Sequence, residues 1–253
     1  MYNLRQNIDI LLVLVQKELK VKYKNSLIGF LWSILNPVVL SIIFYFAFKI
    51  IIRVQTNNYP LFLTAGLFLW QWFQVSLLNS LNSFIHNRSL VKKLAFNRYL
   101  LPMSIVVTEM IHLIASLPAL FIMMVIFKVQ FTANMLFLPI IIVESFILVF
   151  AISLMFSITN VLFRDLERII LLLLQVVFYA TPIVYTANMI PEEYKIIMAL
   201  NPFLPIFEFW RSLFLGLDVS LSILLHCLGS AVIFLLLAIM HYKKYIHLIA
   251  ERL

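Results

Sequence analysis

The sequence predicts an all-α integral membrane protein with six transmembrane helices, preceded by an amphipathic helix at the cytoplasmic interface. Its 253 residues are 64% hydrophobic and only 12% charged, whereas soluble domains are roughly 45–50% apolar and 25% charged. Several apolar runs reach the ~20 residues that a helix needs to cross a bilayer. The 19 lysines and arginines lie mainly at the ends of these runs, where positive charge sets the orientation of a span.

The first segment, residues 1–26, is predicted to form an amphipathic helix that lies in the membrane interface. Its apolar residues recur at helical spacing, at Ile8, Leu11, Leu12, Val15, Leu19 and Tyr23. Asp9, Gln16 and several lysines lie broadly opposite. An ordinary cytoplasmic extension is the alternative. A signal peptide is not indicated, because Gln-Lys-Glu follows the short apolar run at 10–15 in place of a small-residue cleavage site.

Residues 27–187 are predicted to hold five spans, at residues 27–52, 61–84, 101–127, 135–162 and 169–187. Pro37 is expected to bend the first span, because proline removes a backbone donor. The connections at 53–60 and 128–134 are placed outside the cell membrane, and those at 86–100 and 163–168 in the cytoplasm. In the last of these turns Asp165 is expected to cap the fifth helix, because its carboxylate can accept the free amides of the first turn.

Residues 188–218 form the longest outer segment and are predicted to be a re-entrant gate. Pro191, Pro202 and Pro205 break the segment too often for a span, yet it is too apolar for a loose loop. Two short helices are expected, near residues 194–200 and 206–215. Such backbone is tolerated at membrane depth only where protein or a water-filled cavity covers it. Residues 219–253 then supply a sixth span, ending near Met240, and a cytoplasmic tail, which completes a single transmembrane domain.

Composition excludes several classes of protein and site. The net charge of +8 is dispersed along the chain, which disfavours a nucleic-acid-binding surface. Cys227 is the single cysteine, so the chain cannot form an internal disulfide. The four glycines cannot supply a GxxxxGK loop for ATP, and the five histidines show no metal-binding spacing. No catalytic cluster stands out, since the alternating charges of residues 163–168 fit a docking or capping turn.

Glu109 and Glu144 are acids within predicted spans, and an ionisable group there is a functional candidate by default. A proton relay would need a chain of such groups at the midplane, and the sequence shows none. We therefore expect Glu109 to pair with a cytoplasmic cation or with His112. Glu144 is expected to be paired in the same way near the outer leaflet.

Aromatic residues make up 15% of the chain. Most are expected to pack or to form interfacial belts. If the cargo is a sugar, some would line its path, because aromatic faces stack on the apolar faces of sugar rings. The candidates are Phe44, Tyr45, Phe46, Phe48, Trp70, Trp72, Phe178, Tyr179 and Tyr185.

Four stretches, in this order and topology, resemble the membrane subunit of ABC-2-type polysaccharide exporters, the O-antigen, capsule and teichoic-acid group. The resemblance extends over nearly the whole chain, and the overall appearance is closest to the O-antigen permeases. The stretches are KELKVKYKNSLIGFLWSILNPVV at 17–39, with Tyr23, Ser26, Gly29, Trp32 and Pro37 in place, FRDLERII at 163–170, ATPIVY at 180–185 and ALNPFLPIFEFWR at 199–211.

The resemblance implies a multi-pass protein of the bacterial inner membrane with both termini in the cytoplasm. It implies a homodimer that carries two copies of a separate ABC ATPase, which would bind ATP and Mg while this chain holds no cofactor. The cargo would be a glycan on undecaprenyl diphosphate, passed between the two protomers to the periplasm.

The resemblance also assigns roles to residues. Contacts with the ATPase are expected at Lys17, Glu18, Arg88, Lys92, Lys93 and Arg98. The lipid diphosphate is expected to meet Lys20, Lys22, Lys24 or Arg88 at the entrance, although contact with the lipid surface is the alternative for each. The outer gate is expected at Pro191, Asn201, Pro202, Trp210 and Arg211.

The sequence is compatible with other functions. Within the same class, the cargo is alternatively teichoic acid, capsule or a small hydrophobic molecule. From another class, an integral-membrane enzyme acting on lipid or sugar would need the clustered polar residues that the sequence lacks. A secondary transporter is disfavoured because no internal repeat is evident.

Overall fold

The fold was taken from a computed structural model, which describes residues 3–24, 29–51, 53, 58–163, 165–199 and 201–253, with backbone alone for 29–34, 195–197 and 199. Every regular element in this part of the chain is helical, which confirms the predicted all-α class. The reason is physical, because a helix satisfies all its backbone hydrogen bonds within one apolar segment.

The described residues of the first half of the chain form six α-helices. They are α1 (Leu4–Tyr23), α2 (Gly29–Phe44), α3 (Tyr59–Leu81), α4 (Ser83–His86), α5 (Arg88–Lys93) and α6 (Leu100–Ile126). Helix α2 contains Pro37 and continues as one π-helical stretch, Tyr45–Ile51. The end of α4 and the whole of α5 therefore lie in the first half of the basic connection at 86–100 that was predicted as a loop.

The second half supplies five more helices among the described residues. They are α7 (Leu138–Leu162), α8 (Leu166–Ala180), α9 (Glu192–Ala199), α10 (Leu204–Leu215) and α11 (Leu221–Arg252), with 3-10 turns at Ala133–Phe137 and Ala187–Met189. Gly216 ends α10 in the left-handed conformation, with φ of 66°, which suits a residue without a Cβ.

Four described helical segments are long and apolar enough to cross a membrane. They are Tyr59–Leu81, Leu100–Ile126, Ala133–Leu162 and Leu221–Arg252. The predicted first span overlaps α2 and the π-helical stretch, and its limits at 27, 28 and 52 lie outside the described residues. The chain is thus a membrane-embedded helical protein with these four candidate spans.

The structure corrects two sequence-based expectations, the end of the fifth helix and the Asp165 cap, and shows that the last helix extends beyond its predicted span. The fifth helix ends at Ala180 and not at 187, because Thr181 and Pro182 turn the chain and no N–H is available at Pro182. The last helix continues to Arg252, because its tail contains neither proline nor glycine and buries Ile249 against the protein. Asp165 occupies the N-cap position of α8, but its side chain makes no capping hydrogen bond.

Helix α3 is the centre of the packing, since most of its side chains are buried and it contacts α2, α6, α7, α8 and α10. A second cluster of buried side chains joins α1 to the ends of α6, α7 and α11. In α1 the face packed on the protein is Ile10, Leu11, Leu14 and Val15, whereas Ile8 and Leu12 are exposed. The predicted apolar face of this helix is therefore only partly the buried one.

Candidate functional site

A groove of about 560 Å³ lies between α2, α3 and α8, and we call it the central groove. Its wall combines aliphatic, aromatic and amide side chains. The lining residues are Asn36, Leu40, Phe44, Leu67, Trp70, Gln71, Gln74, Val75, Leu78, Leu174, Gln175, Phe178 and Tyr179. None of these described residues carries a carboxylate, an ammonium or a guanidinium group.

Four of the predicted aromatic candidates meet at the central groove. Phe178 lies against Trp70 with ring centroids 5.4 Å apart, and against Phe44 at 6.0 Å. The ring of Tyr179 follows at 5.1 Å from Phe178 and is 63% exposed. An aromatic face is therefore available at the edge of the groove, while Trp70 is almost fully buried.

The other aromatic candidates lie elsewhere. The ring of Phe48 packs on Phe44 at 6.0 Å, and that of Tyr45 meets Phe46 edge-on at 6.2 Å. The hydroxyl of Tyr185 donates to the carbonyl of Tyr179 at 2.8 Å. Trp72 lines the neighbouring cavity described below.

Amide side chains of the central groove were missed by the sequence reasoning. They are Asn36 on α2, Gln71 and Gln74 on α3, and Gln175 on α8. The sequence does single these amides out, because each lies within a largely apolar helix. Gln71 and Gln74 are also spaced to share one helix face. Amides both donate and accept hydrogen bonds without carrying charge, so the groove can bind hydroxyl groups.

Two further cavities adjoin the central groove. The inner cavity, about 360 Å³, shares Asn36, Gln71 and Val75 with it. The mouth cavity, about 770 Å³, is lined by charged residues that include Lys17, Glu18 and Glu167. Lys22 and Glu109 line both the inner and the mouth cavity, so this ion pair stands between them.

The ion pair belongs to a polar cluster that joins α1 to α6. The ammonium of Lys22 lies 2.7 and 2.8 Å from the two carboxylate oxygens of Glu109. The same carboxylate is 2.9 Å from His112 Nδ1, and Asn79 donates to it at 3.1 Å. The hydroxyl of Tyr23 hydrogen-bonds His112 Nε2. Pairing of Glu109 with both a cation and His112 is therefore confirmed.

The surroundings of this cluster shift the pKa of Tyr23. Burial raises the pKa of the Tyr23 hydroxyl to about 12, and the negative charge of Glu109 adds to the rise. The hydroxyl therefore keeps its proton at physiological pH and remains available as a donor to His112.

Glu144 shows the opposite situation. It is 2% exposed, and neither carboxylate oxygen has a hydrogen-bond partner in the described part of the chain. The expectation that Glu144 is paired is therefore wrong.

The turn after α8, residues 180–185, has its carbonyl oxygens bound by side chains from distant segments. Arg211 donates to the carbonyls of Pro182 and Ile183. The hydroxyl of Tyr59 donates to Val184 O at 2.6 Å, and the amide of Asn201 donates to Ala180 O at 3.3 Å. These hydrogen bonds take the place of the backbone hydrogen bonds that the carbonyls lose where helix α8 ends.

Predicted gate residues are part of this arrangement. Arg211 is 5% exposed, and its guanidinium lies 3.8 Å from the ring centroid of Phe62. Trp210 Nε1 donates to Ala65 O at 2.9 Å and is fully buried. Asn201 also donates to Thr181 Oγ1 at 2.8 Å, with Pro202 half-buried beside it, whereas Pro191 is exposed ahead of α9.

The basic residues predicted for partner contacts differ in their surroundings. Lys17 hydrogen-bonds Asn87 and lies 3.4 Å from Glu18. Arg98 is engaged within the chain, because it donates to the carbonyl of Ile246 at 2.9 Å. The remaining lysines and arginines of this set are exposed on α1 and α5, at Lys20, Lys24, Arg88, Lys92 and Lys93.

Some predicted features lie outside the described residues. These are Ser26, the side chain of Trp32 and Arg164. Among the described residues there is no group of three or more histidines, cysteines or acids placed to hold a metal ion. Cys227 is buried as a free thiol.

Comparison with known proteins gives consistent matches. Residues 10–215 match the model of the ABC-2 type transporter family. Two proteins from Klebsiella pneumoniae named O-antigen export system permease protein RfbA are each 41% identical to the chain, one over 96% of this chain and 95% of its own length, the other over 85% and 83%. A protein of the same name from Myxococcus xanthus is 31% identical over 81% of this chain and 80% of its own length.

Proposed function

Because this chain belongs to the ABC-2 type transporter family, as a membrane permease and not an enzyme, we propose that it exports a lipid-linked polysaccharide of the O-antigen type. The observation that carries the proposal is the 41% identity to an O-antigen export permease over 96% of the chain. The cargo is a glycan on undecaprenyl diphosphate, and it moves from the cytoplasm to the periplasm.

The central groove supports a sugar cargo. Amides such as Gln74 and Gln175 can exchange hydrogen bonds with hydroxyl groups. Tyr179 offers an exposed ring at the groove edge, on which the apolar face of a sugar can stack. A long polymer needs such weak, repeated contacts, since a site that binds tightly would hold the chain in place.

The working assembly is a homodimer in the inner membrane, with the groove of each protomer facing the shared path. Both termini and the mouth cavity face the cytoplasm, in keeping with the bias of lysine and arginine. Two copies of an ABC ATPase bind ATP and Mg, and they contact α1 at Lys17 and Glu18 and α5 at Arg88, Lys92 and Lys93. Arg98 is a weaker candidate for this contact, because it already binds Ile246 within the chain.

The lipid diphosphate is received by exposed basic residues beside the mouth cavity. Lys20 and Lys24 are exposed on α1 and can reach a phosphate at the membrane surface, with Arg88 as a further donor. Lys22 is the innermost of these lysines, and a phosphate would have to compete there with Glu109.

The outer segment, residues 188–218, closes the path between polymers as a re-entrant gate. The buried contacts of Trp210 and Arg211 anchor its α10 helix, so that movement is expected at α9 and its flanking turns. Pro191 and Pro202 lie at those turns.

Reconstitution tests this function. The chain and its ATPase partner, in proteoliposomes, are expected to move an undecaprenyl-diphosphate-linked glycan only when both chains and hydrolysable ATP are present. A matched control is the ATPase with its Walker A lysine replaced, which binds the permease but does not turn over. Stable insertion of this chain without association of an ATPase, or ATP hydrolysis that no lipid-linked glycan stimulates, would remove the proposal.

A further inference from the structure

The wall of the central groove differs in composition from the ends of the helices, where most charged residues lie. Four amides and four aromatic residues share it with aliphatic side chains, and no described lining residue is charged. In the helices that form it, lysine and arginine are absent from residues 29–44 of α2, from all of α3 and from residues 169–180 of α8; the first turn of α8 carries Glu167 and Arg168, which do not line the groove.

From this wall we propose that the central groove selects uncharged glycan segments over anionic ones, with Gln71, Gln74 and Gln175 as the specificity-determining residues. The inference rests on the proposed export function and narrows its substrate class. It assigns the cargo to neutral polysaccharides and excludes polymers that bear a phosphate or carboxylate on each repeat, such as teichoic acids.

The two cargoes differ in the free energy needed to move them from water into the groove. A sugar hydroxyl that leaves water finds a donor or an acceptor in each amide, so its hydrogen bonds are replaced. A phosphate or carboxylate that leaves water needs a cation or several donors, and without them its burial is costly. Amides supply too few donors for this, and no guanidinium or ammonium is within the groove.

The charged residues stand at one end of the path. Lys17, Lys22 and His86 line the mouth cavity together with Glu18, Glu109 and Glu167. Lys17 and Lys22 are paired there with Glu18 and Glu109, so the one diphosphate of each polymer is received by the exposed Lys20 and Lys24 beside the mouth. The repeats that follow have to pass the uncharged wall one after another, so a charge on every repeat is penalised each time.

Transport of two matched cargoes tests the inference. Proteoliposomes with the permease and its ATPase receive an undecaprenyl-diphosphate-linked glucan, or the same glucan carrying phosphate monoesters. The wild-type complex is expected to move the neutral form at least about tenfold faster. Gln74→Lys and Gln175→Lys are each expected to narrow this ratio at least about threefold, since an ammonium at the groove wall attracts the anion.

Gln130→Lys is the matched control, because Gln130 is exposed and lies outside the groove, and it should leave the ratio unchanged. Gln175 is itself exposed on α8, so its lysine variant tests the idea even if the Gln74 variant fails to fold. Equal wild-type rates for both glucans, or an unchanged ratio in both groove variants, would overturn the inference.

A measurement of sugar binding separates this inference from the export proposal. Maltoheptaose and its phosphate ester are added to the purified complex, and quenching of tryptophan fluorescence reports contact near Trp70 and Trp72. If neither glucan is transported, the export proposal fails, and the binding ratio then decides the selectivity on its own. Tighter binding of the neutral sugar, reversed or reduced in Gln175→Lys, supports it, and equal binding contradicts it.

Discussion

Arg211 and Lys22 are cations of the described chain that are held in opposite ways. Arg211 on α10 is buried and donates to the backbone carbonyls of Pro182 and Ile183, with Phe62 beneath its guanidinium. Lys22 on α1 pairs with the carboxylate of Glu109, and about a third of its side chain stays exposed. One cation is bound by dipoles of the chain itself, and the other by an opposite charge at the wall of a cavity.

The difference separates a fixed contact from an exchangeable one. The planar fork of arginine holds two carbonyls in one geometry, and those carbonyls have no other donor within the turn at 180–185. The ammonium of Lys22 is a point charge that any anion in the mouth cavity can approach. We therefore expect Arg211 to determine stability and Lys22 to modulate the passage between the mouth and the inner cavity.

The largest effect is expected from Arg211→Met. The substitution leaves two buried carbonyls without donors and removes the cation–π contact, at a combined cost of roughly 3–6 kcal/mol. The midpoint of thermal unfolding in detergent should fall by about 10 °C or more. Arg211→Lys should recover only part of the loss, because an ammonium cannot fork to both carbonyls.

Arg252→Met is the matched control, since Arg252 is exposed at the end of α11 and its loss should change the midpoint little. If Arg211→Met and Arg252→Met unfold at the same temperature, the carbonyl contacts do not hold the turn. The contrast with Lys22 would then disappear.

A smaller effect is expected from Gly66→Ala. A Cβ on Gly66 would overlap the guanidinium of Arg211 and lie 3.0 Å from its Cζ, so the arginine has to shift from its carbonyls. Overpacking of this kind costs about 1–3 kcal/mol. Gly229→Ala is the control, because nothing lies within 4 Å of its Cβ position, and there alanine should stabilise helix α11 by about 0.5–1 kcal/mol.

A double-mutant cycle sharpens this result. In the Arg211→Met background Gly66→Ala should cost less than in wild type, because the overlapping group is gone. An equal cost in both backgrounds would show that Gly66 serves helix packing and not the approach of Arg211.

The smallest effect on stability is expected at Lys22. In Lys22→Met the carboxylate of Glu109 keeps His112 and Asn79 as partners, so the loss should be about 1–2 kcal/mol. Lys20→Met, on the exposed side of the same helix, should cost under about 0.5 kcal/mol.

The functional consequence of Lys22→Met should exceed its structural one. Ser116 lines the inner cavity and is buried, so Ser116→Cys, in a Cys227→Ser background, reports access from the mouth. We expect faster labelling by a membrane-impermeant thiol reagent in Lys22→Met than in Lys20→Met. Equal labelling rates would show that the ion pair does not separate the two cavities.

Much of the fold was predictable because it depends on local properties. Long apolar runs form helices wherever backbone groups cannot reach water, and most predicted spans coincide with described helices within a few residues. The short helices α9 and α10 were predicted from prolines that break a span. The pairing of Glu109 was predicted as well, because an ionised group inside a span is costly, whereas the same expectation was wrong for Glu144.

The sequence by itself determined the class of protein, its helices and the scarcity of charge within them. The tertiary structure alone decided which partners meet. Lys22 reaches Glu109 across 87 positions, and Arg211 reaches Ile183 across 28. It also brought Asn36, Gln74 and Gln175 from three helices to one wall. Such contacts depend on how helices pack, and helical periodicity gives the faces of each helix but not the neighbour that each face meets.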